Sequence, residues 1–313
     1  EQAEVLANVY VPLSVDLEKI YLINYPLVGL YKPASRADLL RRLNAGQTIF
    51  YYVGHGSPGN LADEQVLLGS DAANLTNGDQ RFVFIALSCD VAVYADFGAQ
   101  SMAEEFVTSR DGGAIGAIAA SWLSYSYSNN ALSNYLFASL YPGRHAVAYA
   151  TVGEALRAAK ASLWTPENWV YAKNSRRYSY LGDPAQRLPN PTDDLVFTAA
   201  SADSLQTGRP HQIVVDLAAQ GVATGGDTTY DLRAEDSAVD QAYLPGEFWR
   251  ESGHTAFRGT GPATTDPLTI PFLAPLQMRR GELGRLRLIL DEDGTERAAV
   301  LQVPVVSAEA SGG

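Results

Sequence analysis

The first 190 residues alternate short apolar runs with segments whose apolar positions follow a helical period. The apolar runs predict buried strands, which we place at residues 19–25, 48–53, 81–89 and 114–121. The helical period predicts amphipathic helices, which we place at residues 35–46, 99–113, 129–141 and 151–164. We expect Ser35 to cap the first helix, and Thr151 with Glu154 to form a capping box at the last. This alternation indicates an α/β fold: a mostly parallel sheet covered on both faces.

The pattern changes at residues 181–194, where several prolines and turn formers indicate a boundary. Beyond it, apolar and polar residues alternate with the period of half-buried strands. We place such strands at residues 211–217, 228–234, 268–274, 283–290 and 298–306. Short strands separated by turns predict a β-sandwich, for which we expect the immunoglobulin-like type. The sequence therefore predicts an α/β domain at residues 1–190 and an all-β domain at residues 191–313.

Composition and charge exclude several classes of protein. Of the 313 residues, 46% are hydrophobic and 19% are charged, so the chain has enough apolar residues for packed cores, unlike a disordered chain. The formal net charge of −12 would repel a nucleic-acid backbone or an anionic membrane. No apolar run approaches the roughly 18 to 20 residues of a membrane-spanning helix. The single cysteine, Cys89, excludes an internal disulfide bond.

Two of the predicted strands end at residues whose side chains could act in catalysis. The strand at 48–53 runs into a Gly-His-Gly sequence centred on His55, and the strand at 81–89 ends at Cys89. Neighbouring parallel strands would bring the imidazole and the thiol to one edge of the sheet, as general acid–base and nucleophile. The amide N–H groups of Gly56 and Cys89 could then face an oxyanion. The alternatives are an inert buried cysteine and a histidine that only occupies a turn.

The histidines and the cysteine show no metal-ligand spacing. The chain has four histidines, His55, His145, His211 and His254, and they are scattered along its length. We expect the last three to be surface or sandwich residues. The sequence therefore predicts no metal ion and no cofactor for the reaction.

Several segments, taken in order, resemble a known family. They are NAGQTIFYYVGHGS, FVFIALSCD, SMAEEF followed by GGAIGAIAAS, and LGDPAQRL. This set looks like the gingipain-type cysteine peptidases of the caspase-like clan, and the resemblance covers nearly all of residues 1–190. It implies a caspase-like three-layer sandwich followed by an immunoglobulin-like domain. The activity it implies is that of a cysteine endopeptidase, in which a Cys-His dyad forms a thioester acyl-enzyme.

The resemblance also implies roles for individual residues. His55 matches the catalytic histidine, Cys89 the nucleophile, and Gly56 a residue whose amide helps form the oxyanion hole. The segment SWLSYSYSN resembles the one that lines the primary specificity pocket, so Ser121 and Trp122 are expected in its wall. A core position is the other interpretation of Trp122. Two carboxylates match family positions but are expected to be structural, Glu104 and Asp183. Relatives bind calcium as a structural ion, although no acidic stretch here has a calcium-ligand pattern.

Partners and location follow from the same resemblance. Relatives have a further strand and a companion subdomain upstream of the position of Glu1, so we expect a longer, proteolytically processed precursor. Its cleaved N-terminal portion would be a partner, beside a protein or peptide substrate. The resemblance implies secretion or attachment to the bacterial cell envelope. The loop SPGNLADEQ lacks a tryptophan that the family often has there, and the residue preferred at the P1 position stays open.

Three other functions stay open on sequence alone. A sortase-like transpeptidase of type IX secretion would use the same acyl-enzyme, with an amine in place of water. A binding or adhesion module would carry an inert caspase-like domain and act through its sandwich. An intracellular signalling protease of caspase type is disfavoured, because a β-sandwich suits secreted or envelope proteins.

Overall fold

A four-stranded sheet organises the first part of the chain. The computed structural model describes residues 2–141, 151–189, 191, 194–200, 203–225, 227–244 and 247–308. In chain order, the strands of this part are β1 (Ile49–Val53), β2 (Asn60–Leu61), β3 (Leu67–Leu68), β4 (Phe82–Leu87), β5 (Ala114–Ala120) and β6 (Tyr178–Gly182). The sheet has the order β1-β4-β5-β6, in which β1, β4 and β5 are parallel and β6 is antiparallel to β5. The prediction of a mostly parallel sheet is confirmed.

Helices cover both faces of this sheet. They are α1 (Gln2–Val5), continued by a π-helical turn (Leu6–Tyr10), α2 (Pro33–Asn44), α3 (Met102–Thr108), α4 (Ser126–Leu140), α5 (Val152–Leu163) and α6 (Trp169–Ser175). Phe82 and Phe84 of β4 pack with α2 and α3, whereas Val83 and Ile85 pack with α4 and α5. The α/β three-layer prediction is therefore confirmed. Within the described ranges, no helix combines the length and the apolar character needed to cross a membrane.

The segment before α2 differs from the prediction. Residues 19–25 form no strand: a 3-10 turn, Leu22–Asn24, interrupts them, and Ile23 is exposed. Ile20 and Leu22 pack against the core between α2 and α3, but a cavity of about 1060 Å³ is lined both by this segment and by β1. The apolar side chains are thus covered from one side only, and the backbone turns instead of pairing with the sheet.

The caps predicted for the helix ends are confirmed in part. Pro33 occupies the first position of α2, where its missing N–H has no intrahelical role, so Ser35 is buried inside the first turn and is not the N-cap. Gly46, just beyond the helix, has a φ of 86°, as expected of a C-terminal glycine. The capping box of α5 is confirmed, since Thr151 Oγ1 accepts a 3.2 Å hydrogen bond from the N–H of Glu154. Helix α6 and strand β6 were not predicted, because their residues mix aromatic and charged types without a clear period.

Two sheets with a shared core form the second part. Its strands are β7 (Ala199–Ala200), β8 (Leu205–Thr207), β9 (Pro210–Val215), β10 (Thr229–Glu235), β11 (Val239–Leu244), β12 (Glu247–Glu251), β13 (Thr255–Pro262), β14 (Leu268–Leu273), β15 (Gly281–Glu292) and β16 (Thr295–Ser307). One sheet has the order β13-β10-β15-β16-β8 and the other β14-β9-β7, while β11 and β12 form a separate hairpin. Leu232 and Leu288 of the first sheet share a buried cluster with Ile213 and Ile270 of the second. The predicted sandwich is confirmed, and its immunoglobulin-like type stays a prediction.

A group of charges joins the N-terminal segment to the sandwich. We call it the charged network; its members are Asp16, Arg233, Glu235, Arg285 and Arg287. Arg287 is only 1% exposed and donates a 2.9 Å hydrogen bond to the carbonyl oxygen of Ser14. Glu235 Oε1 lies 3.4 Å from Arg287 Nη2, and Glu235 Oε2 accepts from Arg285 Nε at 2.7 Å. Desolvation of the guanidinium lowers the pKa of Arg287.

Candidate active site

His55 lies in a tightly held loop at the carboxyl end of β1. Its carbonyl oxygen accepts hydrogen bonds from Tyr52 Oη (2.7 Å) and from the N–H of Ala62 (2.8 Å). The next residue, Gly56, forms an antiparallel bridge with Leu61. The backbone is therefore fixed from both sides, whereas the imidazole is exposed and has no hydrogen-bond partner within the described part of the chain.

Close packing explains the glycine after His55. A Cβ atom built on Gly56 would lie 2.3 Å from Ser88 Oγ, which is closer than packed atoms come. Ser88 Oγ itself donates a 2.9 Å hydrogen bond to the carbonyl oxygen of Gly54. These two contacts join the loop after β1 to the residues after β4, and only a residue without a side chain fits between them.

Cys89 lies beyond β4 at the same edge of the sheet. The parallel strands β1 and β4 pair as far as Val53 opposite Leu87, so the segments that follow them leave the sheet side by side. Cys89 is half-buried, and its sulfur contacts one residue in three ways. The thiol donates to the carbonyl oxygen of Ser124 at 3.3 Å, and Sγ accepts from the Ser124 N–H at 3.3 Å and from its Oγ at 3.8 Å. Sequence reasoning missed Ser124, which is 35 positions away.

The chain turns sharply after Cys89. Asp90 has a φ of 59°, a left-handed conformation that Asp tolerates better than most residues. Its N–H donates to the carbonyl oxygen of Trp122 at 3.4 Å, and burial raises the pKa of its carboxyl. The amide N–H groups of Gly56 and Cys89 have no acceptor among the described residues. Two N–H donors are thus free on the adjacent loops.

Ser121 and Trp122 follow β5 on the same side. The N–H and Oγ of Ser121 both donate to the carbonyl oxygen of Arg177, at 2.8 and 3.1 Å, and so join the ends of β5 and β6. Trp122 is 61% exposed, which excludes the core interpretation. The Arg177 guanidinium donates to the carbonyl oxygen of Leu123 and lies 5.1 Å from the ring centre of Tyr125. Sequence reasoning missed Arg177, because it precedes a strand that was not predicted.

The two carboxylates that match family positions make structural contacts, as expected. Glu104 Oε2 accepts hydrogen bonds from the N–H (2.9 Å) and Oγ (2.7 Å) of Ser101, which caps α3. Asp183 Oδ1 accepts from the N–H of Ala185 at 2.9 Å and holds the turn after β6. Neither contact involves His55 or Cys89.

Metal ligands do not cluster in the part of the chain that the structure describes, where no three His, Cys, Asp or Glu side chains come together. His211 is buried in the sandwich with its ring 5.5 Å from that of Phe272. His254 is exposed, and its Nε2 lies 3.4 Å from a carboxylate oxygen of Glu251. His145 lies outside the described residues.

Comparison with known proteins identifies the family. A sequence model of peptidase family C25 matches residues 1–189. Two solved structures align at a TM-score of 0.42 and 13% identity over 90% of this chain: the complex of Porphyromonas gingivalis RgpB pro- and mature domains, and the Arg-specific cysteine proteinase gingipain R. A third, described as a protease, aligns at a TM-score of 0.36 and 16% identity over 85% of this chain.

This chain spans 58%, 57% and 56% of the lengths of those three proteins, respectively. No curated protein matches it by sequence. The family match alone covers most of the chain, from the first helix through the residues that follow β6. The chain therefore belongs to peptidase family C25.

Proposed function

We propose that this chain is a cysteine endopeptidase in which Cys89 is the nucleophile and His55 the general acid–base. The observation that carries the proposal is the parallel pairing of β1 with β4, extended by the hydrogen bond from Ser88 to Gly54 between the loops that hold the dyad. Membership in peptidase family C25 supports the class of reaction. No metal ion or cofactor is required by this chemistry, and calcium, if bound, would be structural.

In the first half-reaction the Cys89 proton moves to His55, and the thiolate attacks the carbonyl carbon of the scissile peptide bond. As the S–C bond forms, the electron pair of the C=O double bond moves to oxygen. The imidazolium then gives its proton to the leaving nitrogen as the C–N bond breaks, which leaves a thioester on Cys89. In the second half-reaction His55 takes a proton from water, the resulting hydroxide attacks the thioester, and the thiol leaves as it regains that proton.

The amide N–H groups of Gly56 and Cys89 are the proposed donors to the oxyanion. Their support is that both are free of other acceptors among the described residues, and that they come from the two loops that meet at this edge. Preorganised N–H donors of this kind stabilise the charge that develops on the carbonyl oxygen. The substrate side chain before the scissile bond would then contact Ser121 and the exposed Trp122.

We also propose that the upstream portion of a longer precursor is a partner, and that the protein is secreted or attached to the cell envelope. The partner is supported by the position of β1 at an edge of the sheet among the described residues and by the large cavity beside it, and the location is supported by membership in peptidase family C25. Intact-mass analysis of the native protein tests the partner: a second, upstream-encoded polypeptide should co-elute, and a chain whose encoded start is Glu1 would contradict it. The domain division at residue 190 is likewise proposed, since one packed core includes Leu188 and the next begins at Leu195.

A positional-scanning peptide library with mass detection tests the activity. Wild-type protein should cleave a subset of peptides, and Cys89→Ala and His55→Ala should each lower kcat/KM by at least about a thousandfold. His254→Ala is the matched control, because this exposed histidine lies in the sandwich and should leave cleavage unchanged. Equal cleavage by Cys89→Ala and wild type would refute the assignment. An added amine in the same assay separates hydrolysis from transpeptidation by the mass of the product.

A further inference from the structure

A chain of uncharged side chains lies behind Cys89. The N–H of Tyr125 donates to Asn174 Oδ1 at 3.1 Å, and Asn174 Nδ2 donates to Asn129 Oδ1 at 2.9 Å. Asn129 Nδ2 then donates to Ser124 Oγ at 2.9 Å. Ser124 Oγ is in turn 3.8 Å from the sulfur of Cys89. We call Asn174, Asn129 and Ser124 the neutral chain.

The direction of the neutral chain is fixed at its far end. A backbone N–H can only donate, so the Tyr125 N–H requires the oxygen of the Asn174 amide to face it. The nitrogen of Asn174 must then face Asn129, which in turn directs the Asn129 nitrogen to Ser124. Each amide orientation follows from the one before it, and every hydrogen bond donates toward the active site.

Tyr178 supplies a second hydrogen bond to the same hydroxyl. Its Oη lies 3.1 Å from Ser124 Oγ and 3.5 Å from the carbonyl oxygen of Ser88, so the shorter hydrogen bond is the one to Ser124, and the ring is fully buried. Burial raises the pKa of Tyr178, and the neighbouring Cys89 charge raises it further, so Tyr178 stays a neutral donor. With Asn129 and Tyr178 both donating, the two lone pairs of Ser124 Oγ are filled. The remaining hydroxyl proton is left to point at the sulfur.

We propose that the neutral chain and Tyr178 are positioning residues that direct the Ser124 hydroxyl at Cys89 and stabilise its thiolate. In the thiol form, S–H donates to the Ser124 carbonyl oxygen. When that proton leaves for His55, the sulfur keeps two donors, the Ser124 N–H and the Ser124 hydroxyl. Hydrogen bonds to the charged form of a group favour that form, so these two donors stabilise the thiolate.

Burial makes this arrangement effective. Asn129 and Asn174 are 4% and 2% exposed, so water does not compete for their hydrogen bonds. Hydrogen bonds polarise one another in such surroundings, and the orientation of each group is held by its neighbours. A role of the neutral chain in catalysis rests on the proposed function. Its effect on the Cys89 thiol can be measured without any substrate.

The test is the pH dependence of Cys89 alkylation by iodoacetamide. Cys89 is the only cysteine, so the alkylation rate measures the thiolate fraction of this residue alone. Ser124→Ala should move the midpoint of this pH profile upward by about half a pH unit to one pH unit. The alkylation rate at neutral pH then falls about three- to tenfold. Ser133→Ala is the matched control: its hydroxyl is also buried, lies on α4, and donates to the carbonyl oxygen of Asn130. It should leave the midpoint unchanged.

A double-mutant cycle separates positioning from general loss of structure. Asn129→Leu and Tyr178→Phe should each raise the midpoint by a smaller amount than Ser124→Ala. Because both residues act through Ser124 Oγ, combining either with Ser124→Ala should add nothing to the shift of Ser124→Ala. Should Asn129→Leu fail to fold, the Tyr178→Phe cycle alone decides. An unshifted Ser124→Ala, or additive shifts in a cycle, would overturn the proposal.

The two proposals fail separately. If peptides are cleaved through Cys89 but Ser124→Ala keeps the wild-type midpoint, the neutral chain has no role in thiolate stabilisation and the peptidase assignment stands. If no peptide is cleaved but the midpoint shifts as expected, the hydrogen-bond chain stands and the proposed function fails.

Discussion

Two clusters of polar side chains, the charged network and the neutral chain, differ in composition. The charged network joins the N-terminal segment to the sandwich through arginines and carboxylates, and two of its atoms, Arg287 Nε and Glu235 Oε1, have no hydrogen-bond partner among the described residues. The neutral chain behind Cys89 contains no charge, and its two amides each accept one hydrogen bond and donate one.

The difference indicates what each group contributes. The arginines and carboxylates of the charged network attract one another through opposite charge as well as through hydrogen bonds, so the network holds two segments together. Amides and hydroxyls have a donor side and an acceptor side, so the neutral chain transmits a direction to the sulfur. We expect damage to the charged network to appear in stability, and damage around Cys89 to appear in reactivity.

The largest expected effect is on stability, in the charged network. Glu235→Gln removes a buried negative charge and leaves Arg285 and Arg287 without their shared partner. Breaking a buried ion pair costs about 3 to 5 kcal/mol of the free energy of unfolding, and because Arg287 keeps its ion pair with Asp16, we expect a loss of about 3 kcal/mol. Urea denaturation measures the loss, while the alkylation midpoint of Cys89 should not move. A loss below about 1 kcal/mol would mean that the network is not structural.

The control for this change is an ion pair of similar chemistry at the surface. Arg258 is 58% exposed and donates to Asp231 at 3.0 Å. Arg258→Gln should cost about 0 to 1 kcal/mol, because solvent screens exposed pairs. A cost as large as that of Glu235→Gln would show that burial is not what distinguishes the two sites.

A smaller effect is expected on reactivity, where the loops of β1 and β4 touch. Gly56→Ala places a methyl group 2.3 Å from Ser88 Oγ, so either Ser88 rotates and loses its hydrogen bond to Gly54, or the two loops move apart. A shift of about 1 Å at a reacting centre costs about a hundredfold in rate, which should appear in kcat/KM for a cleaved peptide. Gly59→Ala is the matched control in the same loop, since nothing lies within 4 Å of its added methyl. Equal losses in both variants would refute the contact-based explanation.

The smallest effect concerns pH. Burial would raise the pKa of Asp231, but hydrogen bonds from Arg233 and Arg258 outweigh it and lower the pKa below 3.8. A lowered carboxylate pKa adds stability above the unfolded-state value, and this stability is lost as pH falls through the folded-state value. Asp231→Asn should therefore cost about 1 kcal/mol or less at pH 7, the range of partly exposed ion pairs.

Urea unfolding at a series of pH values measures this difference between Asp231→Asn and wild type. The difference in the free energy of unfolding should begin to shrink as pH falls below about 3.8. The neutral chain has no group that titrates in that range, so Asn129→Leu should show a constant stability difference from wild type. A pH-independent difference for Asp231→Asn would contradict the role of its ion pairs.

The sequence predicted that the strands before His55 and Cys89, the residues of the candidate site at strand ends, are neighbours in the sheet. Continuous apolar runs marked β1 and β4, and the breaks after them marked His55 and Cys89 as neighbours. The segment at 19–25 has the same kind of apolar run, but the strand predicted there was wrong. The pattern indicates burial and does not show which strand edge, if any, is available for pairing.

The neutral chain was beyond sequence reasoning for a different reason. Asn129 and Asn174 lie 45 positions apart, on α4 and α6, and meet only when these two helices pack against each other. Each looks like an ordinary polar residue in its helix, since buried and exposed asparagines have no distinct local pattern. Trp122 is a third case, where sequence left a pocket wall and a core position open, and its exposure excludes the core position.

The central claim is that Cys89 and His55 act together through a thioester. Rapid acid quenching of wild-type protein with a slowly hydrolysed peptide ester, followed by mass analysis, tests it most directly. We predict one acyl group per chain on the peptide that contains Cys89, removable by hydroxylamine, with its formation at least about a hundredfold slower in His55→Ala. An acyl group on another residue, or steady product release with no adduct on Cys89, would contradict the account.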